Sequence, residues 1–148
     1  MKFHHSLSTN LTKNALWELL SDFENIARCL PGVEDVQQID FLTYKGIVGI
    51  RIGPMRFSFS GQIEIDETIP DGIMTFRAEG QDRKIGAGVR VVIETSVSEL
   101  VLSKSELLVS ADIQFSGRLA QFGQPLIKRK SDLMFEEFAA NLKLLIDK

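Results

Sequence analysis

Few residues in this 148-residue chain could cross-link it, bind a metal or anchor it in a bilayer. There is one cysteine, Cys29, so neither an internal disulfide nor a multi-thiolate metal site can form. The only histidines, His4 and His5, are adjacent, and neighbours in a strand face opposite sides, so they cannot chelate one ion together. No run approaches the ~18 apolar residues of a transmembrane helix. The start, Met1-Lys2-Phe3-His4-His5-Ser6, lacks the apolar stretch of a secretory signal, and the end, Leu144 to Lys148, has no lipidation signature. A soluble cytoplasmic protein is expected, at most peripheral to the inner face of the membrane. Basic charge is not in surplus either: 17 Lys and Arg against 20 Asp and Glu leave a net −3, which disfavours nucleic acid as a partner. Nucleophile elbows, P-loops and metal-binding helix motifs do not occur. No catalytic residue, metal ligand or covalent cofactor is assigned.

Tyrosine and tryptophan occur once each, but there are ten phenylalanines, and 44% of the chain is hydrophobic. That composition and length suit one globular domain spanning residues 1–148. Helical spacing marks both ends. Thr9-Asn10-Leu11-Thr12 offers caps before Ala15, Leu16, Trp17, Leu19, Leu20 and Phe23, and a short second helix follows over Glu24 to Cys29. Pro31 and Gly32 end this unit. From Val33 to Gly117 the period is two, with inward series such as Tyr44-Gly46-Val48-Ile50-Ile52 and Met55-Phe57-Phe59. Gly53-Pro54 and Pro70-Asp71-Gly72 read as turns, so the sheet is antiparallel and meandering. Gly46, Gly49, Gly61, Gly80, Gly86 and Gly88 fall inside strands and predict strong curvature. A final apolar stripe, Phe122, Leu126, Leu133, Met134, Phe138, Leu142 and Leu145, predicts a long helix that either starts at Pro125 or kinks there. The fold class is α+β. A curved antiparallel sheet of about seven strands wraps a long C-terminal helix, and two short helices follow the first strand.

Three blocks carry a resemblance. Leu30-Pro31-Gly32-Val33, then Gly49-Ile50-Arg51-Ile52-Gly53-Pro54 with Phe59-Ser60-Gly61, then Gly117-Arg118-Leu119-Ala120-Gln121-Phe122-Gly123 resemble the CoxG family of carbon monoxide dehydrogenase subunits. That family lies within the START and birch-pollen-allergen-like superfamily. The resemblance covers essentially the whole chain and implies a helix-grip fold with an apolar cavity between sheet and C-terminal helix. It implies a quinone or lipid as ligand and a molybdenum-containing carbon monoxide dehydrogenase-type oxidoreductase as partner. Many members carry an apolar C-terminal extension for membrane contact. These 148 residues do not include one, so only weak peripheral contact is expected.

The expected cavity wall is Phe57, Phe59, Met74, Phe76, Val91, Ile113, Phe115, Phe122, Leu126 and Met134. Phe and Met are common in apolar sites. Arg77, Glu79 and Arg90 are candidate rim groups. Lys128-Arg129-Lys130 is a solvated helix face or a contact for anionic headgroups. Glu64, Asp66, Glu67, Glu94 and Asp112 fall on the polar strand phase. Gly86-Ala87-Gly88 leads into a strand, not a helix, so it is no phosphate loop. Cys29 reads as a packing thiol. A non-enzymatic binding protein is therefore expected; the alternatives are a cyclase- or hydrolase-like enzyme using Tyr44 or an inward acid in the same cavity, and a ligand-free adaptor docking a partner enzyme.

Overall fold

The period-two stretch becomes six consecutive antiparallel strands, and an N-terminal strand joins their far edge. A computed structural model describes residues 1–68, 72–101 and 103–147. Its strands are β1 (Lys2–Thr9), β2 (Val33–Asp40), β3 (Thr43–Ile52), β4 (Met55–Thr68), β5 (Ile73–Asp82), β6 (Ala87–Val101) and β7 (Lys104–Gly117). They form one curved sheet in the order β1-β7-β6-β5-β4-β3-β2. Pro70, Asp71 and the Glu67 side chain lie outside the described residues.

Helices α1 (Lys13–Ser21) and α2 (Phe23–Cys29) carry the chain from β1, at one sheet edge, to β2 at the other. Thr12 caps α1 by accepting the Ala15 N–H, and Asp22 caps α2 by accepting that of Glu24. Asp22 is the only residue between the helices; its extended dihedrals end the first and turn the chain into the second.

Helix α3 (Gln124–Ile146) has Pro125 in its first turn, where a missing N–H leaves no bond unmade. Of the two sequence readings, the helix therefore starts there rather than kinking; Arg118–Gln121 form a separate 3-10 turn. At ~1.5 Å per residue α3 is about 35 Å long, enough to cross the whole concave face. Its inward stripe departs from the expected one. Ile127 and Leu142 are buried, whereas Leu126 and Leu133 are 37% and 52% exposed. Gly86 also departs from expectation, since it sits in the β5–β6 turn with φ +81°.

Two apolar clusters on this face matter for the site. At one end Leu7, Val97 and Leu107 of the sheet meet Leu16, Leu20, Cys29 and Leu142 of the helices. At the other, Ile52, Phe57, Phe59, Ala87 and Leu119 close the bottom of the grip.

Candidate functional site: an apolar cavity

Between these clusters the concave face is hollow. The inter-strand register explains why. Gly46 of β3 lies opposite Gly61 of β4, which lies opposite Gly80 of β5. The same row continues through Val89 of β6 to Phe115 of β7, and begins at Val36 of β2. Three successive strands thus present no side chain at the point where the sheet faces α3. All six residues line a cavity of about 270 Å³.

The glycines are required by more than volume. A Cβ at Gly61 would overlap the Glu79 carbonyl oxygen, and one at Gly46 would stand 2.6 Å from that of Asp35. Sheet curvature brings the neighbouring backbone into the space a side chain would need. At Gly80 a Cβ would meet the Phe59 Cβ at 3.2 Å, Val89 at 3.6 Å and the Ser60 carbonyl oxygen at 3.8 Å, with no overlap. Gly80 keeps the floor low, whereas Gly61 and Gly46 permit the bend.

The walls come from six elements. Val48, Ile50 and Ile52 of β3 and Phe59 and Ile63 of β4 stand on one side, Val91 of β6 and Ile113 of β7 on the other. Phe23 and Ala27 of α2 close the top with Ile127, Lys130, Ser131 and Met134 of α3. The surface inside is almost entirely carbon. Among the described residues no buried side-chain nitrogen or oxygen lacks a partner, so no orphaned polar atom points into the hollow. The polar residues that border it, Asp35, Lys45, Gln62 and Glu79, are chain neighbours of the glycine row.

One edge of the mouth is fixed by backbone. Gly32 adopts φ +81°, and its carbonyl accepts the Gly49 N–H at 2.7 Å. A Cβ on Gly32 would overlap the Gly49 carbonyl oxygen, so only glycine allows the Leu30-Pro31-Gly32 loop to lie this close to β3. Beside the loop a shallower groove of about 310 Å³ runs along α3, lined by Arg51, Arg56 and Glu137 among others.

The structure places Phe59, Val91, Ile113, Phe115 and Met134 of the expected wall in the cavity lining. It places the other five elsewhere. Phe57 is fully buried, stacked on Phe59 at 5.6 Å and edge-on to Phe122 at 6.1 Å, so Phe57 and Phe122 belong to the solid plug below. Met74 and Phe76 pack with Phe23 and Ile65 near the β4–β5 end. Leu126 faces solvent because Ile127 takes the inward position. Sequence reasoning missed the glycine row, the β3 face and α2. Alternation had already put Gly46, Val48 and Ile50 on one face; what was missing was the cross-strand register.

The expected rim groups lie on the outer face of the sheet. Arg90 pairs with Glu79 at 2.9 Å and Arg77 with Asp66 at 3.7 Å, all well exposed. Their side chains alternate with Phe76, Ala78 and Val91, which face inward, so Arg77 and Arg90 do not reach the cavity, and of the three only Glu79 borders it. Tyr44 lines the cavity and packs on Phe23 at 4.3 Å. Burial, with the nearby carboxylates of Asp22 and Glu24, raises its hydroxyl above the usual phenol range. Cys29 is buried in the packed cluster, and burial raises its thiol too. His4 contacts Ser110 at 3.0 Å on the outside, while His5 stacks on Phe135 and lies 3.3 Å from Asp132 of α3. The basic run divides: Lys128 pairs with Asp132 at 2.7 Å, Arg129 is exposed, and Lys130 turns towards the cavity.

A curved antiparallel sheet gripping a long C-terminal helix over an apolar hollow is the helix-grip, START-like class. A conserved protein from Geobacillus kaustophilus superposes with a TM-score of 0.87 at 17% identity, over 99% of this chain and 95% of that one. A START superfamily protein from Mycobacterium smegmatis does so at 0.75 and 13%, covering 99% and 97%. The ZhuI aromatase/cyclase from a Streptomyces species gives 0.69 and 10%, over 96% and 90%. At these identities the likeness is one of fold. Residues 6–146 match the CoxG family of carbon monoxide dehydrogenase subunits, and the chain belongs to it. Among curated proteins none matches by sequence.

Proposed function

We propose that the protein is a non-enzymatic binding module that holds a quinone or lipid. It would serve as accessory to a molybdenum-containing oxidoreductase of the carbon monoxide dehydrogenase type. The observation that carries the ligand half is the carbon-lined cavity floored by three glycines; family membership supports the partner half. Among the described residues no helix is long and apolar enough to cross a membrane, and any membrane contact in this reading is peripheral.

Size narrows the cargo. At 270 Å³ the hollow falls just below the roughly 300–1,000 Å³ of sites that enclose drug-sized ligands. It suits a ring or a chain segment, and a longer tail would extend through the mouth. Burying a ring system of about 150–250 Å² yields about 4–6 kcal/mol at about 25 cal/mol per Å². Lost translational and rotational freedom offsets about 4 kcal/mol or more. The interior alone gives weak binding, so groups at the mouth must add to it.

Native mass spectrometry of protein purified from its own host, followed by solvent extraction, tests the reading. A co-purifying quinone or lipid is expected. An empty protein that also binds no neutral apolar dye overturns it. Turnover of a ketide-like substrate that is lost in Tyr44→Phe would favour the cyclase- or hydrolase-like alternative. Capture of a molybdenum enzyme by protein that binds no apolar molecule would favour the adaptor.

A further inference from the structure

We infer that the mouth selects apolar ligands that carry a single carboxylate, held by Lys130 with Arg51 beside it. The inference rests on the cavity reading above and names the head group that cavity admits. The inner hollow and the outer groove are two volumes that meet. Ile50, Lys130 and Met134 line both, so the groove is the vestibule of the cavity and Lys130 stands at the threshold.

Charge at that threshold differs from the rest of the molecule. The chain is acidic overall, but the vestibule gathers Arg51, Arg56 and Lys130 against Glu137. Arg56 is committed, its guanidinium 2.8 Å from the Glu34 carboxylate. Among the described residues neither Lys130 nor Arg51 has a carboxylate within 4.0 Å, unlike Lys128 two residues away. With Glu137 balancing one of the two remaining cations, the surplus is about one positive charge. That matches a monoanionic carboxylate better than a phosphate dianion. The interior surface is almost entirely carbon, so a carboxylate-headed amphiphile has one favourable pose: body inside, head at Lys130.

Displacement of the neutral dye Nile red by decanoate and by 1-decanol at pH 8 separates the claims. Decanoate is expected to displace the dye at about three- to tenfold lower concentration than the alcohol, as suits a partly exposed charge-assisted contact. Lys130→Met should bring that ratio close to one through decanoate alone, Lys130→Arg should keep it, and added salt should shrink it. Circular dichroism confirms that each variant is folded. Equal displacement by the two ligands, or a ratio unchanged in folded Lys130→Met, overturns head-group selection while leaving the cavity reading intact. Failure of Nile red to bind at all overturns the cavity reading and this inference with it.

Discussion

Two regions of the concave face use the same strands and the same residue types, yet the α1–α2 end is solid and the middle is hollow. Along β6 and β7, Val97 and Leu107 are 5% and 1% exposed, whereas Val89, Val91, Ile113 and Phe115 remain half-buried. What differs is the opposing surface. The solid end meets α1, the end of α2 and the C-terminal half of α3, all contributing large side chains. The hollow middle has Gly46, Gly61 and Gly80 below and Ile127 and Met134 above. The site is made by removing side chains from an ordinary core, not by adding special ones.

The largest test compares one truncation at each end. Leu16→Ala or Leu142→Ala should cost about 2–5 kcal/mol, because these side chains are 0% and 1% exposed in a close-packed cluster. That corresponds to a fall in Tm of about 5–15 °C for a domain of this size. Val91→Ala should cost only about 1 kcal/mol, since the lost methyl groups already face empty space on one side. Thermal melts of the two variants that coincide would show the hollow end to be packed in solution.

The next test separates the two kinds of glycine. Gly61→Ala forces a methyl group onto the Glu79 carbonyl and should cost about 2–3 kcal/mol through displaced backbone. Gly80→Ala meets Phe59, Val89 and the Ser60 carbonyl without overlap, and should be near neutral because alanine regains strand entropy that glycine forfeits. It raises the cavity floor, so apolar dye binding should weaken while stability holds. Denaturant titration beside dye titration reads both.

How much of this was legible beforehand follows from the range of the interactions. The cap at Thr12, the three- and four-residue apolar spacing and the period-two runs are local, and the sequence reading located the helices and strands from them, with Pro125 leaving a start or a kink open. The expected curvature was likewise a local inference from glycines in strands. The cavity depends on which glycine lies beside which, and register is set by pairs far apart in sequence. Choosing Phe and Met by residue type therefore mixed plug and wall: Phe57 and Phe59 share a strand phase, but only Phe59 reaches the hollow. The helix stripe failed by one residue at Leu126, because Ile127 next to it is equally apolar and only packing decides between them.

The smallest effect concerns acid. Asp82, at the end of β5, is 6% exposed and accepts three backbone N–H groups, from Ser58 at 2.8 Å, Lys84 at 3.1 Å and Ile85 at 3.2 Å. The Ser58 bond is the main cause that lowers its carboxyl below the usual range; burial opposes it, and the Ile85 and Lys84 bonds reinforce it. A folded-state value below the unfolded one means the carboxylate stabilises the fold at neutral pH, fully so above the unfolded value of about 3.9. That contribution disappears as pH falls through the lowered folded value. Asp82 ties the β5–β6 turn to β4 beside the Phe57 plug, while the α1–α2 end is held by apolar contacts that do not titrate. Acidification below about pH 4 should therefore speed amide exchange at Ser58, Lys84 and Ile85 before it affects Leu16 or Leu107. In Asp82→Asn the exchange at those three amides should already be faster at pH 7 and should change less with acid. Simultaneous loss of protection at Ser58, Lys84 and Ile85 and at Leu16 and Leu107 would mean that the β5–β6 turn is no less stable than the packed cluster.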